Sequence, residues 1–377
     1  MKISQEDKLN ETELLISWKA VEHNLNYFRS LLKPSTKLML MVKANAYGNG
    51  AEEIVKRIEK ENLCDYLSVA YLDEGIALRK AGIELPIMVL NPSITHWEQM
   101  VFHCLEPEIH NLTALQSFNT FLSSNDSLKN SDYPIHLKLN TGMNRLGFDS
   151  SDLDDVIKLL QEHPSFRVKT VMSHLSSAGM PEEDIFTHSQ LEKFDEMTKR
   201  LQRVLPNSVS RHILNSYGIA RFPEYQLDMV RLGIGLYGGA PIPELNRNLQ
   251  SICQLKTKVT SFRRLKKGAS IGYSRAGKAS EDTNIATLSI GYADGLPRSL
   301  GNGNWKVEIN NKLYPIIGNV CMDLTMIELG NDSAEVGDEV FIFGRQQTIF
   351  DFAKARNTIA YEVMTSIGER VRRRVVN

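Results

Sequence analysis

Lys43 stands just past the apolar run 38–42 and is followed by a turn of small residues, Ala44-Asn45-Ala46-Tyr47-Gly48-Asn49-Gly50. A lysine amine is costly to bury unless it is paired or covalently engaged, and a desolvated one loses basicity and becomes a nucleophile towards carbonyls. Lys43 is therefore a candidate Schiff-base residue. The competing reading is a strand-end lysine that reaches water. Tyr47 at loop distance, and two glycines that leave backbone room for a bulky ligand before a helix near residue 51, favour the first. Lys138 and Arg145 flank a second Gly-bearing turn, and the planar fork of Arg145 suits a carboxylate. His174 ends another apolar run, where a core histidine is as common as a catalytic one. Asn215-Ser216 and Arg231-Leu232-Gly233-Ile234-Gly235 each follow an expected strand, and such loops supply hydroxyl and backbone N–H groups to phosphates. Tyr273 lies in the Gly-bearing turn Ile271-Gly272-Tyr273-Ser274-Arg275.

Positioning these groups falls to an alternation of strands and helices. Strands are expected at 37–43, 66–70, 87–90, 103–106, 135–140, 168–173, 211–215 and 227–231, with helices such as 150–162 and 184–204 between them. Eight short apolar strands separated by helices point to an α/β fold, a closed (β/α)8 TIM barrel, with an open doubly wound sheet as the alternative. In such a barrel chemistry sits just beyond the strand C-termini, where Lys43, Arg145, His174, Ser216 and Arg231 all fall. After Gly239-Ala240-Pro241-Ile242-Pro243 the strands 254–264, 283–290, 305–309, 312–317, 324–329 and 339–343 follow one another without helices, and helical segments close the chain near 350–355 and 360–367. The expected division is a barrel over 14–240 and a smaller, mainly β domain over 241–377, joined by the segment 1–13. Arg370, Arg372, Arg373 and Arg374 are expected to form a solvated tail.

The composition excludes several classes. With 44 Lys+Arg against 45 Asp+Glu there is no electrostatic case for nucleic acid or an anionic membrane. The N-terminus lacks an apolar signal core and no apolar run reaches membrane-span length, so a cytoplasmic location is expected. Four cysteines without a C-x-x-C pair signal neither a disulfide framework nor a zinc site. Gly233-Ile234-Gly235-Leu236-Tyr237-Gly238 satisfies G-x-G-x-x-G, but no helix follows it, so a dinucleotide site is not indicated.

These segments, with Ser289-Ile290-Gly291-Tyr292-Ala293-Asp294-Gly295 and Val320-Cys321-Met322-Asp323, resemble in order and over nearly the whole chain the motifs of the alanine racemases, fold-type III pyridoxal-phosphate enzymes. The resemblance implies that pyridoxal 5'-phosphate attaches to Lys43, which works on one face of the substrate α-carbon while Tyr273 works on the other. Two bases are needed because a single one tends to return the proton to the face it left, and tyrosine, with a reference pKa of about 10, is a poor base without cations nearby. The same resemblance puts His174 beside the tyrosine, Arg145 and the Met322 backbone on the substrate carboxylate, and Tyr292 at the entrance. It gives Tyr47, Ser216, Gly233, Ile234 and Tyr361 to the cofactor. Arg231 would face the pyridine nitrogen, where an arginine weakens the ring as an electron sink and disfavours transamination. Lys138 matches a lysine that many members carry as a carbamate.

The implied activity is the interconversion of L- and D-alanine for peptidoglycan, by a homodimer in which the β-domain of one subunit completes the barrel site of the other. No metal is implied. A serine or broad-specificity racemase stays open. A fold-type III decarboxylase is disfavoured by the lack of a Cys-Glu-Ser-Gly segment, and a non-catalytic cofactor-binding barrel by the long C-terminal region. Two departures from the pattern are Asn49, where the family often has His, and Asn319, where it usually has Arg.

Overall fold

A computed structural model describes residues 10–128, 131–162, 166–206, 209–239 and 243–377 of the chain. The first strand, β1 (Glu13–Ser17), leads into the helix Trp18–Ser30, capped by Ser17, whose hydroxyl accepts from Ala20 N at 3.3 Å. Val21, Leu25 and Phe28 form its buried face. Eight strands then alternate with helices: β2 (Lys37–Met41), β3 (Tyr66–Val69), β4 (Ile87–Val89), β5 (Glu106–Ile109), β6 (Tyr133–Lys138), β7 (Phe166–Met172), β8 (Ser210–His212) and β9 (Met229–Leu232). Every pairing among them is parallel, in the order β8-β7-β6-β5-β4-β3-β2-β9. The two end strands meet through Asp228 N→Arg211 O at 3.2 Å and Arg231 N→Leu214 O at 3.0 Å, so the ring closes. This is the (β/α)8 architecture rather than the open sheet. Met39, Tyr66, Met88, Met172 and Met229 form a separate apolar cluster, distinct from the larger core.

The second sheet uses β10 (Cys253–Leu265), β13 (Thr283–Leu288), β14 (Lys306–Ile309), β15 (Lys312–Pro315), β16 (Thr325–Gly330), β17 (Glu339–Phe343) and β18 (Arg372–Val376), while β11 (Ser270–Ile271) and β12 (Gly277–Lys278) make a small hairpin. β1 lies between β10 and β18, so residues 14–17 take part in this sheet and not in the barrel. Of the expected domain boundary, residues 240–242 lie outside the described residues, as do residues 1–9 of the N-terminal segment.

Two expectations are corrected. The fourth barrel strand is not 103–106 but Glu106–Ile109, because Glu106 and Glu108 point inward to partners on β6, which hides the strand from an apolar-pattern search. The arginines near the C-terminus are no solvated tail. Arg373 is buried and donates to the carbonyls of Gly48, Ile367, Gly368 and Val371, which ties β18 to the turn behind Lys43.

Candidate active site

The strand β2 ends before Lys43, and the chain then turns the wrong way round. Ala44, Asn45, Ala46 and Tyr47 all have φ between 51° and 55°, a left-handed turn of four non-glycine residues, which costs roughly 1–2 kcal/mol per residue. Its surroundings hold it there. Ala46 N donates to Val42 O at 2.8 Å, Gly48 N to Ala44 O at 2.7 Å, and Ala44 N to Glu74 Oε1 at 2.5 Å. Gly48 continues the turn at φ 82°, and a Cβ there would stand 2.2 Å from Met364 O, so only glycine fits. Asn49 is buried and donates to Ala46 O at 2.9 Å, keeping a polar clasp on the turn. Tyr237 packs against Tyr47, its ring tilted by 31° with centroids 4.7 Å apart, and donates to Met41 O at 2.8 Å, which fixes the end of β2.

Lys43 opens into one cavity lined also by Tyr47, Lys138, Arg145, His174, Ser216, Tyr217, Arg231, Gly233, Ile234 and Tyr361. Every barrel-borne candidate, and Tyr361 from the second domain, is thus gathered at the C-terminal ends of the strands. Burial, and next the Arg145 charge, push the Lys43 amine below its ordinary basicity. At one end Ser216 Oγ accepts from Gly233 N at 3.0 Å and Gly235 N at 3.2 Å, while Tyr217 and Tyr361 bring their hydroxyls within 3.2 Å of each other. A Cβ on Gly233 would stand 2.8 Å from Tyr47 Oη. This corner is a cradle of hydroxyl and N–H donors kept open by a missing side chain, and it suits a phosphate.

Arg231, buried at the cavity floor, starts a chain of hydrogen bonds that runs one way. Its Nη2 donates to Ser173 O at 2.6 Å and Ile213 O at 3.0 Å, and its Nη1 donates to His212 Nδ1 at 2.7 Å. Since a guanidinium can only donate, His212 Nδ1 accepts and its Nε2–H donates to Thr170 Oγ1 at 2.9 Å. The threonine hydroxyl then donates to His136 Nδ1 at 2.8 Å, and His136 Nε2–H to Glu106 Oε2 at 2.8 Å, where the Tyr66 hydroxyl donates too. Burial lowers Arg231 to about 10, which leaves it charged at neutral pH. His174 Nδ1 sits 3.3 Å from Arg231 Nη2, and burial followed by the Arg231 charge holds its imidazole neutral.

Burial, then Arg231, also pushes His212 well below the usual histidine value. The unfolded chain protonates this residue below about pH 6.5 and the folded chain does not, so stability falls as pH drops through that value, by at most about 1.4 kcal/mol per pH unit per histidine. His212→Gln is accordingly expected to flatten the loss of stability between about pH 7 and pH 5.5, as measured by urea unfolding at each pH. Equal slopes in the two proteins would show that His212 is not held neutral.

Tyr273, Tyr292 and Met322 are not in the Lys43 cavity. All three sit on the second domain, 69%, 41% and 53% exposed. Tyr273 follows Gly272 into a turn where Ser274 and Arg275 have φ of 57° and 53°, and Asn319 Nδ2 donates to its carbonyl at 3.2 Å. Arg370 donates to both carboxylate oxygens of Asp294, at 2.7 and 3.0 Å, and pairs with Asp323 at 2.7 Å, so it clamps the loops of Tyr292 and Met322 together. Sequence reasoning missed this clamp, Tyr217, Glu74, Glu108 and the Glu106–His136–Thr170–His212 chain.

Residues 16–241 match the family described as alanine racemase, N-terminal domain, and residues 252–375 match alanine racemase, C-terminal domain. The chain belongs to the alanine racemase family. It is 35% identical over 375 residues to alanine racemase 2 of Caldanaerobacter subterraneus subsp. tengcongensis, covering 97% of this chain and 95% of that one. The alanine racemase of Treponema denticola is 33% identical over 378 residues, covering 97% and 98%. Among solved structures, the alanine racemase of Clostridium difficile 630 superposes with a TM-score of 0.89 at 31% identity, covering 96% of this chain and 94% of that one. That of Bacillus anthracis with bound L-Ala-P gives 0.89 at 28%, covering 98% and 95%. A racemase of alanine is the enzyme these relatives support. Among the described residues no group of His, Cys, Asp and Glu could hold a metal ion, and no helix is long and apolar enough to cross a membrane.

Proposed function

We propose that the chain racemises alanine with pyridoxal 5'-phosphate by a two-base mechanism. The reading is carried by the coincidence, in one cavity, of a desolvated lysine, a donor-lined corner opened by Gly233, and a buried arginine. These residues fit the cofactor: Lys43 would hold its aldehyde carbon, Ser216, Gly233, Ile234 and Tyr361 its phosphate with Tyr47 nearby, and Arg231 its ring nitrogen. When bound, the cofactor supplies an electron sink that acidifies the substrate α-hydrogen.

The chain's own residues do the rest. Lys43, lowered in basicity, can take up and return a proton at the α-carbon. Arg231 keeps its protons, because its charge is anchored by carbonyls and by His212, and so offers the ring nitrogen none. Arg145 offers the substrate carboxylate a bidentate partner, joined by the Met322 backbone. Tyr273, oriented by His174, serves as the second base and Tyr292 borders the entrance. Because neither Tyr273 nor Met322 reaches Lys43's cavity within the chain, a second copy supplies them, and the working unit is a homodimer with shared sites. The domains are a barrel followed by a β-domain that also takes up the chain's first strand. The reaction runs in the cytoplasm and its D-alanine feeds cell-wall peptidoglycan.

The test is incubation of the cofactor-loaded protein with a panel of L-amino acids and chiral chromatography of the products. L-Alanine is expected to reach an equal mixture of enantiomers, since the two have the same free energy. Failure to form D-alanine would sink the reading.

A further inference from the structure

Beside the Lys43 cavity lies a carboxylate with no outlet to water. Glu108 on β5 is wholly buried. Its Oε1 accepts from Lys138 Nζ at 3.0 Å, and its Oε2 has no hydrogen-bond partner. Lys138, on the adjacent strand β6, has a side chain only 8% exposed. Two residues earlier on each strand Glu106 and His136 make a second inward hydrogen-bonded pair, so β5 and β6 carry two layers of polar pairs into the barrel. A carboxylate this far from water persists only beside a cation, and removing one partner of such a pair leaves the other's charge uncompensated.

We propose that Lys138 works as an unmodified ammonium, and that Glu108, not a carbamate on Lys138, is the anion of this wall of the site. In what it says about turnover the proposal rests on the racemase reading. Glu108 is then a positioning residue that offsets and orients the Lys138 charge in the cavity it shares with Arg145 and Lys43.

The carbamate that the family resemblance implied does not fit these surroundings. To form it, the Lys138 ammonium must give one proton to solvent, the lone pair so freed must bond to the carbon of carbon dioxide, and a second proton must leave the nitrogen. A cation would thereby become an anion beside Glu108, whose second oxygen already lacks a partner. The 3.0 Å contact of Lys138 Nζ with Glu108 Oε1 is instead the geometry of an ammonium paired with a carboxylate. The balance of charge agrees: Arg145 and Lys138 depress the basicity of Lys43, while Glu74 and Glu108 raise it.

The experiment uses the holoenzyme equilibrated with 13C-labelled bicarbonate. No carbamate carbon resonance is expected in the wild type, and turnover is expected to be unchanged when bicarbonate is stripped away. Glu108→Gln, with its anion gone and Lys138 free to be modified, is expected to lose at least about tenfold in kcat. Added bicarbonate should recover part of that loss, and Glu108→Asp should retain more activity than Glu108→Gln. A wild-type carbamate resonance that vanishes in Lys138→Met would overturn the proposal, whether or not any Glu108 variant folds. So would a Glu108→Gln enzyme with wild-type kcat, or one relieved neither by bicarbonate nor by the aspartate. Because the resonance is read without turnover, its result stands apart from the racemase reading, which fails only if no D-alanine forms.

Discussion

Lys43→Ala is expected to lower kcat/KM for alanine by about a thousandfold or more, since in the proposed mechanism it removes at once the attachment point of the cofactor and one of two bases. The fold should survive. Lys43 is only partly buried, and the left-handed turn behind it is held by backbone bonds and Gly48 rather than by the lysine side chain. That turn is the reason no other lysine can substitute: four residues in a costly conformation fix the direction in which the Lys43 side chain leaves β2. Borohydride treatment of the wild-type holoenzyme should therefore fix the cofactor to a single peptide, the one containing Lys43. Labelling at Lys138, or a Lys43→Ala protein within tenfold of wild-type activity, would remove the assignment.

What was legible in the sequence follows how local each signal is. Lys43, Ser216, Gly233 and Arg231 are each encoded within a few residues of a strand end, so an apolar run followed by a turn is enough to find them. All eight barrel strands were expected, and the one misplaced was β5. Its inward positions, Glu106 and Glu108, break the apolar pattern because their partners His136 and Lys138 lie on another strand. The Arg231–His212–Thr170–His136–Glu106 chain was invisible for the same reason. Its members lie one on each of five strands, β9, β8, β7, β6 and β5, and meet only after the barrel closes. Arg370 and Arg373 read as solvated because arginine is so often exposed, and nothing local announces that Asp294 and a row of carbonyls await them.

Mixing Lys43→Ala subunits with Tyr273→Phe subunits is expected to restore activity that neither homodimer has. Tyr273, Tyr292 and Met322 stand exposed on the second domain while Lys43 lies in the barrel cavity, which is what the proposed shared site requires of a surface that a second copy would cover. In a twofold dimer each site would take its lysine from one subunit and its tyrosine from the other. A mixed dimer then has one doubly altered site and one with both residues intact. Random reassortment of equal amounts makes about half of the dimers mixed, each with one of two sites working, so about a quarter of wild-type activity should return. If Tyr273 acted instead on the Lys43 of its own chain, every site in the mixture would still carry one lesion and nothing would be recovered. Co-refolding the two variants, with mixed dimers counted through a tag on one of them, separates these outcomes. No recovery in confirmed mixed dimers would mean that the exposed tyrosine serves its own barrel, and that the β-domain must then swing towards Lys43 for the reaction to occur.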